Sequence, residues 1–477
     1  MQDKQAVDAQ GQSVDLQGRP YHRMAFIWTL LAGTFTMSIS QSSLSTAYPT
    51  LMRYFGVPAS TIQWLTTGFM LVMVVMMPVS PWLLNNLRFP VLFISMLALF
   101  DVGTFIIYLA SSFPMMMVGR VMEAMAVGVM FPSYQSVMLR ITPEDKRGGV
   151  MGFAGLVMGS ALAVGPIISG IVLRYTSWQG LFVVFMLIIT VVFLVALKTI
   201  KNVMPQKTSR LDYLSVVGSL GFIGILYVVN QIGKAGVNWG TMTALLVISI
   251  LLVGYFVWRQ FHVETPLLEL RVLKTFNFDL AVLLTGTSYI ALIVVTIIFP
   301  LYYQTVLGLS PFASGMSLVP GAILLSVLNP LTGRLADKIG FKSTMLTGMG
   351  MIVIGWALLV LISGKQPLVV MILIAALIEG GNAFVMMPAV TLGANSLPDQ
   401  LIAHGTAVIT TVRQILGSTG VAVATLILAM VTKSHLSLGS AQANLAGYRA
   451  VFITFLLVSV VGFIFAAMLR DGRQQKA

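Results

Sequence analysis

Long, nearly uncharged apolar segments recur along the whole chain and limit its possible folds more than any other feature. A helix needs roughly 20 mostly apolar residues to cross the hydrocarbon core of a bilayer. Fourteen segments meet this requirement, and they are continuously apolar rather than alternating, which favours helices over membrane strands. The sequence therefore predicts an all-α integral membrane protein. The predicted spans are 24–47, 61–84, 90–110, 115–139, 149–173, 178–198, 213–232, 240–259, 278–301, 312–334, 343–363, 367–390, 405–431 and 449–469.

Charged residues make up only 9% of the 477 residues, whereas about a quarter of a soluble domain is charged. This composition excludes an ordinary soluble enzyme. The chain has no cysteine, which excludes disulfides, zinc–thiolate sites and a thiol nucleophile. The first 20 residues are polar, so we expect no cleavable signal peptide and insertion through the first span.

The few charges are unbalanced, with 28 Lys and Arg against 15 Asp and Glu. In a soluble protein this excess would indicate a nucleic-acid partner. An even number of spans places 20 of the basic residues on the side of the two termini and 6 on the other side. Because cytoplasmic loops are enriched in Lys and Arg, both termini are predicted to be cytoplasmic, in the inner membrane of a bacterium. No nucleic-acid partner is expected.

An internal repeat is indicated by pairs of residues at a constant separation. Glu123 and Glu379 are 256 residues apart, and a proline follows each of them nine residues later. Gly149 and Gly405 have the same separation. Chance recurrence is the alternative, but transporters are often built from such repeats. The predicted regions are a cytoplasmic tail (1–23), an N-terminal six-helix bundle (24–200), two inserted helices with flanking loops (201–276), a C-terminal six-helix bundle (277–470) and a second tail (471–477). The flanking loops are expected to be solvated.

Two segments carry short motifs of glycine and charge. Residues 333–342 read GRLADKIGFK, where glycine permits a tight turn and the aspartate and its basic neighbours can stabilise helix ends. The residues of this predicted gating motif are Gly333, Arg334, Asp337, Lys338 and Gly340. The fifth span carries small residues that let helices approach closely, with a proline that bends the span, namely Gly152, Gly165, Pro166 and Gly170.

These motifs, together with the Gly119-Arg120 segment of the fourth span, resemble the major facilitator superfamily over about residues 24–470. The likeness is close to its fourteen-helix branch of drug:proton antiporters. It implies that the GRLADKIGFK motif stabilises one gating state, and that the small residues form an antiporter motif. Asn85 replaces the aspartate of the corresponding loop in the first half, so the clamp is expected only in the second half. Ser40 stands where the branch carries an aspartate implicated in proton coupling, so another acid is expected to carry protons.

Three acids lie well inside predicted spans: Asp101, Glu123 and Glu379. An ionisable group in the bilayer is unfavourable unless paired or hydrated, which makes each of them a candidate for proton coupling. Glu379 is the strongest candidate, because the resemblance places its span along the central cavity. Depth arithmetic puts Arg413 of the next span at the same level, so a static Glu379–Arg413 pair is the alternative.

The other two acids have weaker cases. Glu123 lies three residues after Arg120, on the same face of a helix, and the pair is either a proton relay or cation site or an internal ion pair. Asp101 is on a span that the resemblance makes peripheral, where a coupling role and a structural hydrogen bond are equally plausible.

Aromatic, methionine and amide side chains near these acids predict an adaptable binding site for lipophilic cations. Ordinary helix packing is the alternative for each of them. In addition to Glu123 and Glu379, the predicted substrate-binding residues are Gln41, Met130, Phe131, Tyr134, Tyr289, Phe384 and Gln414.

The sequence shows no nucleotide-binding fingerprint, so an ion gradient or passive movement must supply the energy, without cofactor or metal. The predicted function is a proton-coupled multidrug exporter that moves amphipathic or cationic compounds by alternating access, and we expect it to be a monomer. An exporter of one physiological solute or lipid is the alternative. A membrane enzyme is disfavoured, since no cysteine is present and none of the four histidines lies beside an acid within a span.

Overall fold

The computed structural model describes residues 13–231, 236–362 and 366–470, and in these ranges the chain is almost entirely helical. Fourteen of the helices described there have 19 or more residues. The helices are α1 (Arg23–Phe55), α2 (Ala59–Ile62), α3 (Trp64–Asn86), α4 (Phe89–Tyr108), α5 (Phe113–Arg140), α6 (Arg147–Tyr175), α7 (Trp178–Thr199), α8 (Tyr213–Gln231), α9 (Trp239–His262), α10 (Phe276–Thr305), α11 (Pro311–Met316), α12 (Val319–Ile339), α13 (Phe341–Leu361), α14 (Leu368–Asn395), α15 (Ile402–Ser434) and α16 (Ser440–Met468).

Within the described ranges, twelve helices are long and apolar enough to cross a membrane. The all-α membrane fold is therefore confirmed, whereas the count of fourteen spans stays a prediction. The two helices outside the twelve are α1 and α8, which correspond to the predicted spans 24–47 and 213–232. The predicted tails fall largely on 1–12 and 471–477, outside the described residues.

Two helices differ in extent from the predicted spans. Helix α1 continues to Phe55 and passes through Pro49, because helices extend beyond the hydrocarbon core that sets the length of the apolar run. The predicted span 312–334 is divided into α11 and α12. Helix α12 begins with Val319 and Pro320, and a proline in the first turn is typical of a helix start.

The packing order of the first six long helices recurs in the last six. Helix α1 packs on α6 and α7, helices α3 and α4 pack on α5, and α4 also packs on α7. In the same order, α10 packs on α15 and α16, helices α12 and α13 pack on α14, and α13 also packs on α16. We call residues 23–199 the first half and residues 276–468 the second half.

The two halves meet at two contacts. Helix α6 packs along α12, and α15 packs on α3 and α5. At the first contact, Gly152 faces the backbone of Asn329 so closely that a Cβ atom would clash with it. Helices α8 and α9 pack on each other, and α8 also contacts α3 and α15. The inserted pair therefore lies beside the second contact between the halves.

The loop before α8 is anchored to the first half at both ends, whereas residues 205–208 in its middle are exposed, as expected of a solvated loop. The backbone N–H of Lys207 donates to the carbonyl of Asn85 at 2.9 Å. The indole of Trp82 donates to the carbonyl of Ser209 at 3.1 Å. The amide side chain of Asn202 is buried, and its oxygen accepts from the N–H of Phe89 at 3.3 Å, which anchors the start of the loop.

The inserted pair is held at one end by an ion pair. The Nε of Arg259 in α9 lies 2.9 and 2.8 Å from the two carboxylate oxygens of Asp212, just before α8. Burial tends to raise the pKa of Asp212, but hydrogen bonds from Arg259 and Ser215 outweigh it and hold this pKa below its usual range. The carboxylate therefore stabilises the folded state while it is ionised.

We expect Asp212→Asn to lower the stability of the protein by about 1–3 kcal/mol, the usual contribution of hydrogen bonds to a charged group. Because the pKa of Asp212 is depressed on folding, its contribution is present above the unfolded pKa and is lost as pH falls through the folded pKa. Thermal unfolding of wild type and variant in detergent should differ near neutral pH and converge in acid. The control is Glu264→Gln, which removes an exposed charge from the loop after α9. A difference in thermal unfolding between wild type and Asp212→Asn that does not change with pH contradicts the prediction.

Candidate functional site

Glu379 is a buried acid without a compensating charge. It lies on the apolar helix α14 and is 3% exposed. Its Oε2 atom has no hydrogen-bond partner, and no basic side chain of the described residues forms an ion pair with it. A Cβ atom on Gly321 of α12 would lie 2.5 Å from this oxygen, so the carboxyl group occupies the space that the glycine leaves open.

A second unpaired polar group lies near Glu379. Tyr303 of α10 is fully buried, and its hydroxyl has no hydrogen-bond partner. It is close enough to Glu379 for the two groups to interact electrostatically. Buried polar groups are normally paired, and unpaired ones are often functional. A carboxyl group in this setting can accept either a proton or the positive end of a ligand.

The predicted Glu379–Arg413 pair does not form. Helix α14 has 28 residues and α15 has 33, so both exceed the 30 Å core that the depth arithmetic assumed. At 1.5 Å per residue, Glu379 is about 24 Å from the end of α14, whereas Arg413 is only about 17 Å from the start of α15. The guanidinium of Arg413 instead lies 5.2 Å from the ring centre of Tyr289.

Glu123, unlike Glu379, has a paired carboxylate. Both of its carboxylate oxygens have partners within the first half. Its Oε2 lies 2.5 Å from Nη1 of Arg120, and its Oε1 accepts from the hydroxyl of Thr104 at 2.7 Å. Arg120 also donates to the carbonyl of Leu65 and lies over the ring of Phe69. Of the two interpretations, the internal ion pair fits this geometry, and the proton relay stays a prediction.

Asp101 lies between α4 and α7, away from the contacts between the halves. Thr190 of α7 donates to its Oδ2 at 3.1 Å, and its Oδ1 has no partner. The neighbouring side chain of Val102 is 49% exposed and that of Val191 is 61% exposed, as expected of a lipid-facing surface. The structure therefore does not bring Asp101 to Glu379.

Three of the predicted substrate-binding residues meet near Arg413. The hydroxyl of Tyr289 donates to Oε1 of Gln414 at 3.3 Å. Tyr134 of α5 is buried, and its hydroxyl accepts from Nε2 of Gln135 at 3.2 Å. This cluster joins α5 of the first half to α10 and α15 of the second half.

The other predicted contacts are dispersed. Met130 is fully buried and Phe131 partly buried in one apolar cluster, which fits ordinary packing. The Cβ atom of Phe384 lies against Gly348 of α13. Phe384 therefore belongs to a helix contact within the second half. Gln41 is partly buried on α1.

The predicted gating motif contacts the start of α6. The carboxylate of Asp337 accepts from the backbone N–H groups of Gly148 at 3.0 Å and Gly149 at 2.8 Å. These groups are the free donors of the first helical turn, where the helix dipole favours a negative charge. Gly333 lies directly against Gly148, and Gly340 ends α12 with a φ of 99° that favours glycine.

Two further motif residues, Arg334 and Lys338, lie on the same turn of α12 as Asp337. The side chain of Arg334 runs past Gly149 at van der Waals distance.

A neighbouring ion-pair network was not predicted from the sequence. Asp399, just after α14, lies 3.2 Å from Arg147 and 3.5 Å from Arg140 of the first half. Arg147 also donates to the side chain of Asn395 at 3.0 Å. The residues of this network lie at helix ends or in the short polar loop after α14, so their only sequence signal is the density of charge there. Together with Asp337, they close one end of the contact between the halves.

The small residues of α6 have unequal roles. Gly152 faces the backbone of α12, and Gly165 lies directly against Ser42 and Ser43 of α1, so both permit a close helix approach. For Gly170 this expectation is wrong, because a Cβ atom there would meet nothing within 4 Å. The side chain of Pro166 lies outside what the structure describes.

Comparison with known proteins decides the family. The model of the Major Facilitator Superfamily matches residues 30–421, most of the chain. The chain belongs to the major facilitator superfamily. Among relatives within it, the chain is 33% identical to an uncharacterized MFS-type transporter, YcnB, of Bacillus subtilis, over 98% of this chain and 100% of that protein. It is 32% identical to the lincomycin resistance protein LmrB of Listeria monocytogenes, over 96% and 98%.

A solved structure of the superfamily supports the fold. The proton:xylose symporter XylE superposes on this chain with a TM-score of 0.67, covering 94% of this chain and 96% of that one. The two share 12% sequence identity, so the likeness concerns the fold alone.

Asp337→Asn should weaken the closed contact between α6 and α12, since the amide loses the charge that the helix dipole favours. The expected cost is about 0.5–2 kcal/mol, enough to shift the open and closed populations severalfold. The chain lacks cysteine, so an introduced pair of cysteines can report closure of the halves through its cross-linking rate. Ser136→Cys and Thr406→Cys suit this purpose, because the two native side chains hydrogen-bond across the contact between the halves.

We expect slower cross-linking when Asp337→Asn is added, and no change with Glu144→Gln, which removes an exposed charge at the same end. Equal rates with and without Asp337→Asn show that the contact does not depend on the carboxylate.

Proposed function

We propose that this superfamily member is a proton-coupled exporter of amphipathic or cationic compounds, with Glu379 as the coupling group. The observation that carries the proposal is the buried, unpaired carboxyl group of Glu379 against Gly321. An unpaired acid in apolar surroundings is unfavourable when ionised, so it gains most from a proton or a bound cation. The resemblance to a lincomycin resistance protein supports export of foreign compounds.

In the proposed cycle, proton and substrate compete for Glu379. Substrate binds the ionised carboxylate from the cytoplasm, the two halves rock, and a proton from outside displaces the substrate. Release of the proton inside restores the starting state. The contacts of Asp337 and Asp399 lie at one end of the interface between the halves, where a gate of an alternating-access transporter is required.

The proposal includes the topology predicted from the sequence. Fourteen spans, two six-helix bundles and cytoplasmic termini in a bacterial inner membrane account for the distribution of basic residues. The proton gradient supplies the energy, so no cofactor, metal or enzymatic step is needed. The packing order that recurs in the two halves supports the two bundles, and we propose that a monomer is the working unit.

An exporter of a single solute is the second candidate. It is favoured by Ser40, which is buried on α1 without a hydrogen-bond partner at the position where drug:proton antiporters carry an acid. Efflux of several unrelated dyes and antibiotics distinguishes the two, because transport of only one compound contradicts the multidrug proposal.

Glu379→Gln should abolish efflux driven by a pH jump in proteoliposomes, because glutamine is similar in size but cannot exchange a proton. We expect a loss of at least about tenfold in the pH-driven rate, while binding of an uncharged substrate persists. Undiminished pH-driven efflux by this variant contradicts the assignment of Glu379.

The matched comparison is Glu123→Gln, since Glu123 occupies the corresponding place in the first half. It leaves the buried guanidinium of Arg120 without its counter-charge, which costs about 3–5 kcal/mol for a broken buried pair. We therefore expect loss of folded protein rather than a selective loss of the pH response. If the variant folds normally and still loses only pH-driven efflux, Glu123 is a coupling group as well.

A further inference from the structure

Arg413 is a buried cation for which the described part of the chain provides no counter-charge. It lies in the middle of α15 and is 6% exposed. Its Nε and Nη1 atoms have no hydrogen-bond partner, and no carboxylate in the described part of the chain forms an ion pair with it. Arginine stays protonated inside proteins, so it cannot lose its charge. The contrast is Arg120, which is neutralised by Glu123.

The surroundings of Arg413 combine aromatic faces with further unpaired polar atoms. The ring of Tyr289 lies 5.2 Å from its guanidinium carbon, and Tyr134 of the first half is close enough to interact with its charge. Two further buried oxygens without hydrogen-bond partners lie close in the chain to these residues, Oγ1 of Thr411 two residues before Arg413 and Oε1 of Gln135 next to Tyr134. The two unpaired nitrogens of Arg413 are donors, so the partner that they lack is an acceptor.

Glu379 does not supply that acceptor. Arg413 lies over the ring of Tyr289, and within the described residues it forms no ion pair with Glu379. Along their helices, Glu379 is about 24 Å from the end of α14 and Arg413 about 17 Å from the start of α15, so the two differ by about 7 Å in depth. Arg413 therefore needs another acceptor.

We propose that Arg413 binds an anionic oxygen group, such as a carboxylate, of the transported compound. Arg binds carboxylates through pairs of charge-assisted hydrogen bonds, and the rings of Tyr134 and Tyr289 suit a flat apolar body next to that group. The inference rests on the proposed function, because it places this subsite on the transport route between the halves. It extends the substrate class from cations to amphipathic compounds that also carry a negative group.

Binding of two dyes to the purified protein in detergent tests this proposal. The probes are a rhodamine with a free carboxylate and its methyl ester, which differ only in the negative group. We expect wild type to bind the carboxylate dye about tenfold more tightly than the ester, and Arg413→Gln to remove this preference. Arg174→Gln, at an exposed end of α6, should retain the preference.

Equal affinity of wild type for both dyes, or an equal loss for both in Arg413→Gln, overturns the proposal. If Arg413→Gln fails to fold, Gln414→Glu serves instead, because a carboxylate beside Arg413 should exclude the anionic dye while the ester still binds. A Gln414→Glu protein that binds the two dyes as wild type does also overturns it. The measurement uses no gradient, so its outcome is independent of whether Glu379 couples transport to protons.

Discussion

A charge buried in apolar surroundings is stable only when an opposite charge or hydrogen bonds compensate it, and this constraint organises the whole molecule. Glu123 and Arg120 of the first half satisfy it, since they neutralise each other and Thr104 donates to Glu123. The second half leaves it unsatisfied at Glu379 and at Arg413. The unpaired charges are therefore the groups that gain most from a proton or a ligand.

The same constraint explains how the two halves are joined. The carboxylate of Asp337 is placed on the free N–H groups at the start of α6, where a negative charge is favourable. Glycines on α6 and α12 bring the backbones close enough for this contact. In the proposed transport cycle this contact can be broken, because it uses a helix dipole rather than a buried ion pair.

The loop of the first half that corresponds to this motif is held by different contacts. Asn85 has no carboxylate, and its carbonyl instead accepts from the backbone of Lys207 in the loop before α8. Near the start of α15, Nδ1 of His404 accepts from the backbone N–H of Glu269, which lies in the loop after α9. The loops that flank the inserted helices thus hold the end where the motif is degraded.

Much of the fold could be predicted from the sequence, because long apolar runs and the positions of Lys and Arg reflect the bilayer itself. The motif of Asp337 and the position of Glu379 inside a span were also accessible, the first from its glycines and charges and the second from a charge in an apolar run. The alternative of a static Glu379–Arg413 pair does not form, since depth in a bilayer does not give the helix lengths or the rotation of each side chain about its helix. The partners of Asp337 and Asp399 are backbone groups and arginines at helix ends, whose proximity only the packing of the halves determines.

The central claim is that Glu379 exchanges a proton for a cationic substrate. Its most direct test is the number of protons released when the cationic rhodamine ester binds to detergent-solubilised protein in weak buffer near neutral pH. Roughly one proton should leave per bound dye in wild type, and none in Glu379→Gln. The same proton release by the variant and wild type would contradict the claim.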